Sequence, residues 1–203
     1  MPWRTTNDAS NWPETGHYLL LWPYSSPSIN KIRPVLCQAV NMKVPSIKVL
    51  MSSSGGIVEE GLSLYGFIRS LPVDITIHNI GSVDSISLAV YLGAARRLAN
   101  PDATFVMHDF IFPQPVPVYN RHQAADISVA LTGARQKLVN ILKSRAKMND
   151  EQYQALRYLE EATIKTSGEA QQIGIVHEIA EATAADGELF NVEYRSHEVR
   201  SRA

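Results

Sequence analysis

Val49-Leu50-Met51-Ser52-Ser53-Ser54-Gly55-Gly56 and Ile80-Gly81-Ser82-Val83-Asp84-Ser85 are two stretches in which a β-type run breaks into a Gly- and Ser-rich turn. Each is followed by helical spacing: Val58, Leu62 and Tyr65 after the first, Ile86, Ala89, Val90 and Gly93 after the second. Strand-to-helix turns of this kind expose backbone N–H groups at a helix N-terminus, where negative charge is favoured. One turn therefore offers an oxyanion donor, the other carries Ser85 at its tip, and Phe105-Val106-Met107-His108 closes the next strand with an imidazole. A nucleophile, a base and an anion hole are the parts that acyl transfer needs.

Working outward, Tyr18 to Trp22 is a strand candidate. Ser28 is placed to cap a helix in which Ile29, Ile32, Leu36 and Val40 share a face, with Pro34 in its first turns. Ile47 to Met51, Ile75 to Ile80 and Thr104 to Met107 predict strands. The segment after Ser85 is unusually small and apolar, which suits burial. Ile127, Ala130, Leu131, Ala134, Leu138, Ile141 and Leu142 recur at three and four, predicting a long helix over about 121–148. Shorter helices are expected near 150–161 and 167–173, the second closed by Gly174. Repeated strand–turn–helix units argue for an α/β fold with a parallel-type sheet and crossover helices.

The chain has 203 residues, 45% hydrophobic and 19% charged, with a net charge of −1. That length suits one domain able to bury a core without metal or disulfide staples. The near-zero charge, with no run of Lys or Arg longer than two, gives no footprint for nucleic acid. No apolar run approaches the ~18 residues of a membrane span. Cys37 is the only cysteine, so no internal disulfide can form, and its place among Ile29, Ile32, Leu36 and Val40 predicts a buried thiol. Met1 to Asn7 lacks a signal-peptide apolar stretch, so a cytoplasmic protein is expected. Residues 1–16 are expected as a flexible segment, 17–180 as the folded domain and 181–203 as a C-terminal tail.

Four motifs in order carry a resemblance. Val49 to Gly56, Gly81 to Ser85, Phe105 to His108 and Gly174-Ile175-Val176-His177-Glu178-Ile179 together resemble the proteolytic subunit of the Clp protease. That subunit is a serine peptidase of the crotonase-like superfamily. The likeness runs from about Ser28 to Ile179 and includes the divergent ClpP-like branch with a Val-Asp-Ser serine turn. It implies repeated β-β-α units with a protruding long helix. It also implies a ring-forming homo-oligomer, heptameric or a double ring, whose sites face an internal chamber. A polypeptide substrate delivered by an ATP-dependent unfoldase belongs to the same expectation; a cofactor, a nucleic acid or a membrane does not.

Carried over residue by residue, the resemblance makes Ser85 the nucleophile and His108 the general base. The backbone N–H groups of Gly56 and Ile86 become the oxyanion donors. Each has a plainer use: Ser85 as a helix cap, His108 as a surface histidine, Gly55-Gly56 as an ordinary turn. The remaining histidines lack metal-ligand spacing, so no metal site is expected. The third triad member departs from the family. Alignment on Thr166-Ser167-Gly168-Glu169-Ala170 puts Ala162 where an aspartate is usual, and no aspartate lies between Glu151 and Gly174. Glu161, with Glu160 beside it, is the carboxylate expected to serve; solvated helix-end charges are the alternative. Asp84 is expected to cap the following helix or pair with a cation.

Three functions compete on this reading: a Clp-type serine peptidase, a ring scaffold or binding protein whose triad has decayed, and an acyl-CoA enzyme of the crotonase class. The last has no need of a serine and histidine at these places. Pro113, Pro115 and Pro117 strip donors from one edge of 112–119, which is expected to lie alongside substrate as an extended edge, a polyproline-like surface loop being the alternative.

Overall fold

The computed structural model describes residues 17–23, 29–109, 120–146, 148–155, 162–183 and 187–191. In chain order these form β1 (His17–Pro23), α1 (Ile29–Asn41), β2 (Ser46–Ser53), α2 (Val58–Ser70), β3 (Asp74–Asp84), α3 (Ser87–Gly93) and β4 (Arg96–Ala99). Then come β5 (Thr104–Met107), α4 (Arg121–Arg145), α5 (Asp150–Ala155), β6 (Thr163–Thr166), α6 (Ser167–Gln172), β7 (Glu178–Ile179) and β8 (Gly187–Asn191).

Alternation in β2 puts Ile47, Val49, Met51 and Ser53 on a buried face, and β3 matches it with Ile75 and Ile77. The strands pair in the order β6-β5-β3-β2-β1-β8, with β4 also on β3 and β7 on β4. Every pairing is parallel except β5 with β6. The core joins the inner faces of β2 and β3 to Ile32 and Leu36 of α1, Leu64 and Ile68 of α2, and Leu138 and Leu142 of α4. Strand–turn–helix repetition therefore builds the α/β fold expected from the sequence, and all of α3 is buried, as its small apolar surface predicted.

Several expectations are corrected. Cys37 is exposed: the buried face of α1 is Ile32, Leu36 and Ala39, and one helical step of about 100° turns residue 37 away from it. The long helix expected over about 121–148 runs unbroken as α4 from Arg121 to Arg145, but its burial is uneven. Leu138, Ile141 and Leu142 are buried within this chain, whereas Val129 is 73% exposed. Four short strands (β4, β6, β7, β8) were not foreseen, and β8 lies within the stretch expected as a tail, paired to β1. Ser28 and the segment 112–119 lie outside the described residues.

One buried charge holds the far end of the sheet. Arg97 on β4 is 2% exposed and donates through Nε to Ile175 O at 2.7 Å, and through one terminal nitrogen to Arg145 O and Gly174 O. Burial, followed by the neighbouring Arg145, lowers its pKa to about 10. Carbonyl acceptors thus do what a carboxylate partner does elsewhere.

Candidate active site

The first turn leaves β2 at Ser53 and reaches α2 through Ser54, Gly55, Gly56 and Ile57. Gly55 has φ +96°, and a Cβ there would stand 2.6 Å from Ser85 Cβ and 3.3 Å from Ser85 Oγ. A side chain is thus excluded twice, by the backbone conformation and by the space. Gly55 N–H donates to Ser53 Oγ at 3.3 Å.

The second turn leaves β3 at Asp84. Ser85 has φ 56°, a left-handed conformation that costs a residue with a Cβ about 1–3 kcal/mol and persists only where its surroundings enforce it. They do so here: Ser85 N–H donates to Val106 O at 2.8 Å, and Leu88 N–H donates to Ser85 O at 3.2 Å. The serine is 8% exposed, on a sharp strand-to-helix turn beyond the C-terminal end of a parallel strand. Nucleophilic serines are presented by turns of this kind, and such strand ends are where α/β sheets bind ligands.

The histidine comes from the neighbouring strand. In the β3–β5 register Asp84 pairs with Val106, so Ser85 and His108 stand one and two residues past the last paired row, on strands about 4.8 Å apart. His108 is half-exposed, and its Nδ1 lies 2.6 Å from Asp109 O. A carbonyl only accepts, so in the neutral ring Nδ1 carries the hydrogen and Nε2 keeps the lone pair that a general base uses. Among the described residues no hydrogen bond joins Ser85 Oγ to the ring.

The backbone N–H groups of Gly56 and Ile86 make no hydrogen bond among the described residues. Ile86 is the N-cap residue of α3, with φ −65° and ψ −19°, so its N–H belongs to the unpaired set at a helix start.

On the other side of His108 the register supplies no carboxylate. β5 and β6 run antiparallel with Met107 opposite Thr163, and one further step sets Ala162 against His108. Ala162 offers a methyl group. Glu160 and Glu161 lie outside the described residues. Among the described residues Asp84 neither caps α3 nor pairs with a cation: its carboxylate accepts from the Ser82 hydroxyl, which in turn lies 3.2 Å from Thr104 Oγ1. That bond is available because residues 82 and 84 project from the same face of β3. Among the described residues no group of three or more His, Cys, Asp or Glu could hold a metal, and no helix is long and apolar enough to cross a membrane.

Sequence reasoning passed over Ser53 and Ser87, both 3% exposed. Ser87 Oγ donates to Asp84 O at 2.6 Å and lies 3.3 Å from Ser53 O. A serine at the first position of an otherwise apolar buried helix was the available signal, since a buried hydroxyl needs an acceptor.

Compared with known families, residues 25–183 match the model described as Clp protease.

Proposed function

This chain belongs to the Clp protease family, and from that premise we propose that it is a serine-type peptidase using Ser85 and His108. Ser85 Oγ attacks the scissile carbonyl while His108 Nε2 takes its proton, and the N–H groups of Gly56 and Ile86 hold the resulting oxyanion. The proton then passes to the leaving amine, giving an acyl-serine that water hydrolyses by the same route. His108 is oriented at Nδ1 by the Asp109 carbonyl, with Glu161 as the carboxylate that completes the set. No cofactor or metal enters the scheme.

The observation that carries this reading is Ser85 itself. Its left-handed backbone presses the hydroxyl side against Gly55, beside two N–H groups with no partner among the described residues. A helix cap has no need of that strain, because capping residues sit in the β region. Family membership implies oligomeric assembly and protein substrates. The finer reading is a ring enclosing a chamber, cleaving peptides or unfolded protein passed on by an ATP-dependent unfoldase in the cytoplasm.

A second reading has its own support: with Ala162 opposite His108, the chain is a ring scaffold or binding protein whose triad has decayed. A fluorophosphonate probe separates the two. Covalent labelling that maps to Ser85 and disappears in Ser85→Ala is the expected result; an unlabelled wild-type chain would leave the scaffold.

A further inference from the structure

The two turns of the candidate site are joined by a side chain that the reaction scheme leaves unused. Ser87 Oγ sits between two backbone carbonyls, Asp84 O at 2.6 Å and Ser53 O at 3.3 Å. Asp84 immediately precedes the nucleophile, and Ser53 is the last residue of β2 before the oxyanion turn. A hydroxyl has one proton, so the bond to Asp84 O is the main one and Ser53 O shares it. We infer that Ser87 is a positioning residue: its hydroxyl fixes the distance between the nucleophile turn and the oxyanion turn.

Serine in a helix often donates back to the carbonyl three or four residues earlier, and Asp84 O alone would be such a bond. Ser53 O is different. It lies 34 residues away in sequence, on the segment that carries the other oxyanion donor. Around this bridge the two units already interlock. Gly55 is packed on Ser85, and a Cβ on Gly61 of α2 would stand 2.5 Å from Ile86 Cγ1, so Ile86 is seated in the first turns of α2. Ser53 also receives Gly55 N–H on its hydroxyl, so its carbonyl and its side chain bind opposite halves of the site. The strain at Ser85 needs restraint on both sides. Val106 O restrains the serine's own N–H, and Ser87 restrains the carbonyl just before it. Two N–H groups converging on one oxyanion tolerate little relative movement, because misplacement by about 1 Å costs about a hundredfold in rate.

This inference rests on the peptidase reading, and the experiment separates the two. Ser87→Ala and Ser87→Thr are compared with the unmodified chain for fluorophosphonate labelling rate, peptide kcat and KM, melting temperature and amide exchange. Ser87→Ala should lower labelling and kcat together by about tenfold to a hundredfold, with KM changed by less than about twofold. Exchange should quicken at both Gly55 and Leu88, one in each turn. Ser87→Thr keeps the hydroxyl and should recover most of the labelling rate. Labelling of Ser87→Ala at the unmodified rate overturns the inference. So does a loss that threonine fails to restore and that follows a lowered melting temperature. If the unmodified chain is not labelled, the peptidase reading fails and exchange alone decides. Faster exchange in both turns sustains the tie, and a change confined to residues 84–88 or absent overturns it.

Discussion

Gly55 and Ser85 touch: the position where a side chain on residue 55 would begin is 2.6 Å from Ser85 Cβ and 2.9 Å from Asp84 O. Two turns from different strands thus meet with no atom to spare. Gly55→Ala must move Ser85 or the oxyanion turn, and must also hold alanine at φ +96°. A stability loss of about 1–3 kcal/mol is expected, with labelling of Ser85 reduced by about a hundredfold or more. Denaturant titration and probe kinetics on the same sample test both; normal labelling would show that the turns can separate without consequence.

Ser85→Gly and Ser85→Ala should both abolish labelling, yet differ in stability. Glycine adopts φ 56° without penalty while alanine keeps the strain. The glycine variant is expected to be more stable by about 1 kcal/mol, read from urea midpoints at equal slope. Equal midpoints would mean that the backbone relaxes once the hydroxyl is gone.

The two turns of the candidate site were legible in the sequence, because Gly and Ser at the ends of β-type runs mark turns through local chemistry, but the left-handed backbone at Ser85 was not. What was not legible depends on partners far along the chain. Arg96-Arg97-Leu98-Ala99 shows no alternation and two adjacent charges, yet it is a strand because its backbone pairs with Thr76–Asn79 of β3 and with Glu178–Ile179 of β7. Thr163 to Thr166 is short and polar, and becomes β6 only by pairing with β5. Ungapped alignment puts Ala162 where the family usually has an aspartate, and it lies one residue before Thr163, which pairs with Met107 beside His108.

In the proposed scheme two groups are available to orient His108, the Asp109 carbonyl and the Glu161 carboxylate. Glu161→Gln should lower kcat, by as much as about 10⁴-fold if it does the work of a triad carboxylate, with KM little altered. Glu160→Gln serves as the neighbouring control. If both variants turn over peptide at the unmodified rate while His108→Ala is inactive, the carbonyl 2.6 Å from Nδ1 suffices.

His78 gives the fold a pH dependence. It is buried on β3, with Nε2 3.0 Å from Ala180 O, and burial, then the Lys48 ammonium, hold its pKa below the ordinary value. The unfolded chain therefore binds the proton more readily than the folded one. Stability is complete above about pH 6.5 and declines as pH falls through that unfolded-state value towards the lower folded one. His78→Gln can still donate to Ala180 O but does not titrate. The melting temperature of the unmodified protein should fall more steeply than that of His78→Gln between pH 7 and pH 5; parallel curves would remove His78 as the cause.

The first half of α4 calls for a partner. A capping box between Asn120 and Gln123 starts the helix without help from the rest of the chain, and residues 121–126 are all exposed. Full burial begins only at Ala134 and continues through Leu138, Ile141 and Leu142, with Leu131 half-buried against the core. Three turns of helix held in solvent by capping alone are marginal, and Val129, with Ile127 and Leu131 only half covered, leaves an apolar stripe on them. In the proposed assembly, packing against another subunit would supply the missing burial. Val129→Asp should therefore weaken assembly and leave each subunit folded, because residue 129 touches solvent rather than the core. Sedimentation at micromolar concentration is expected to give a multiple of 22.5 kDa for the unmodified chain and smaller particles for the variant. A 22.5 kDa particle for both would refute assembly through this helix.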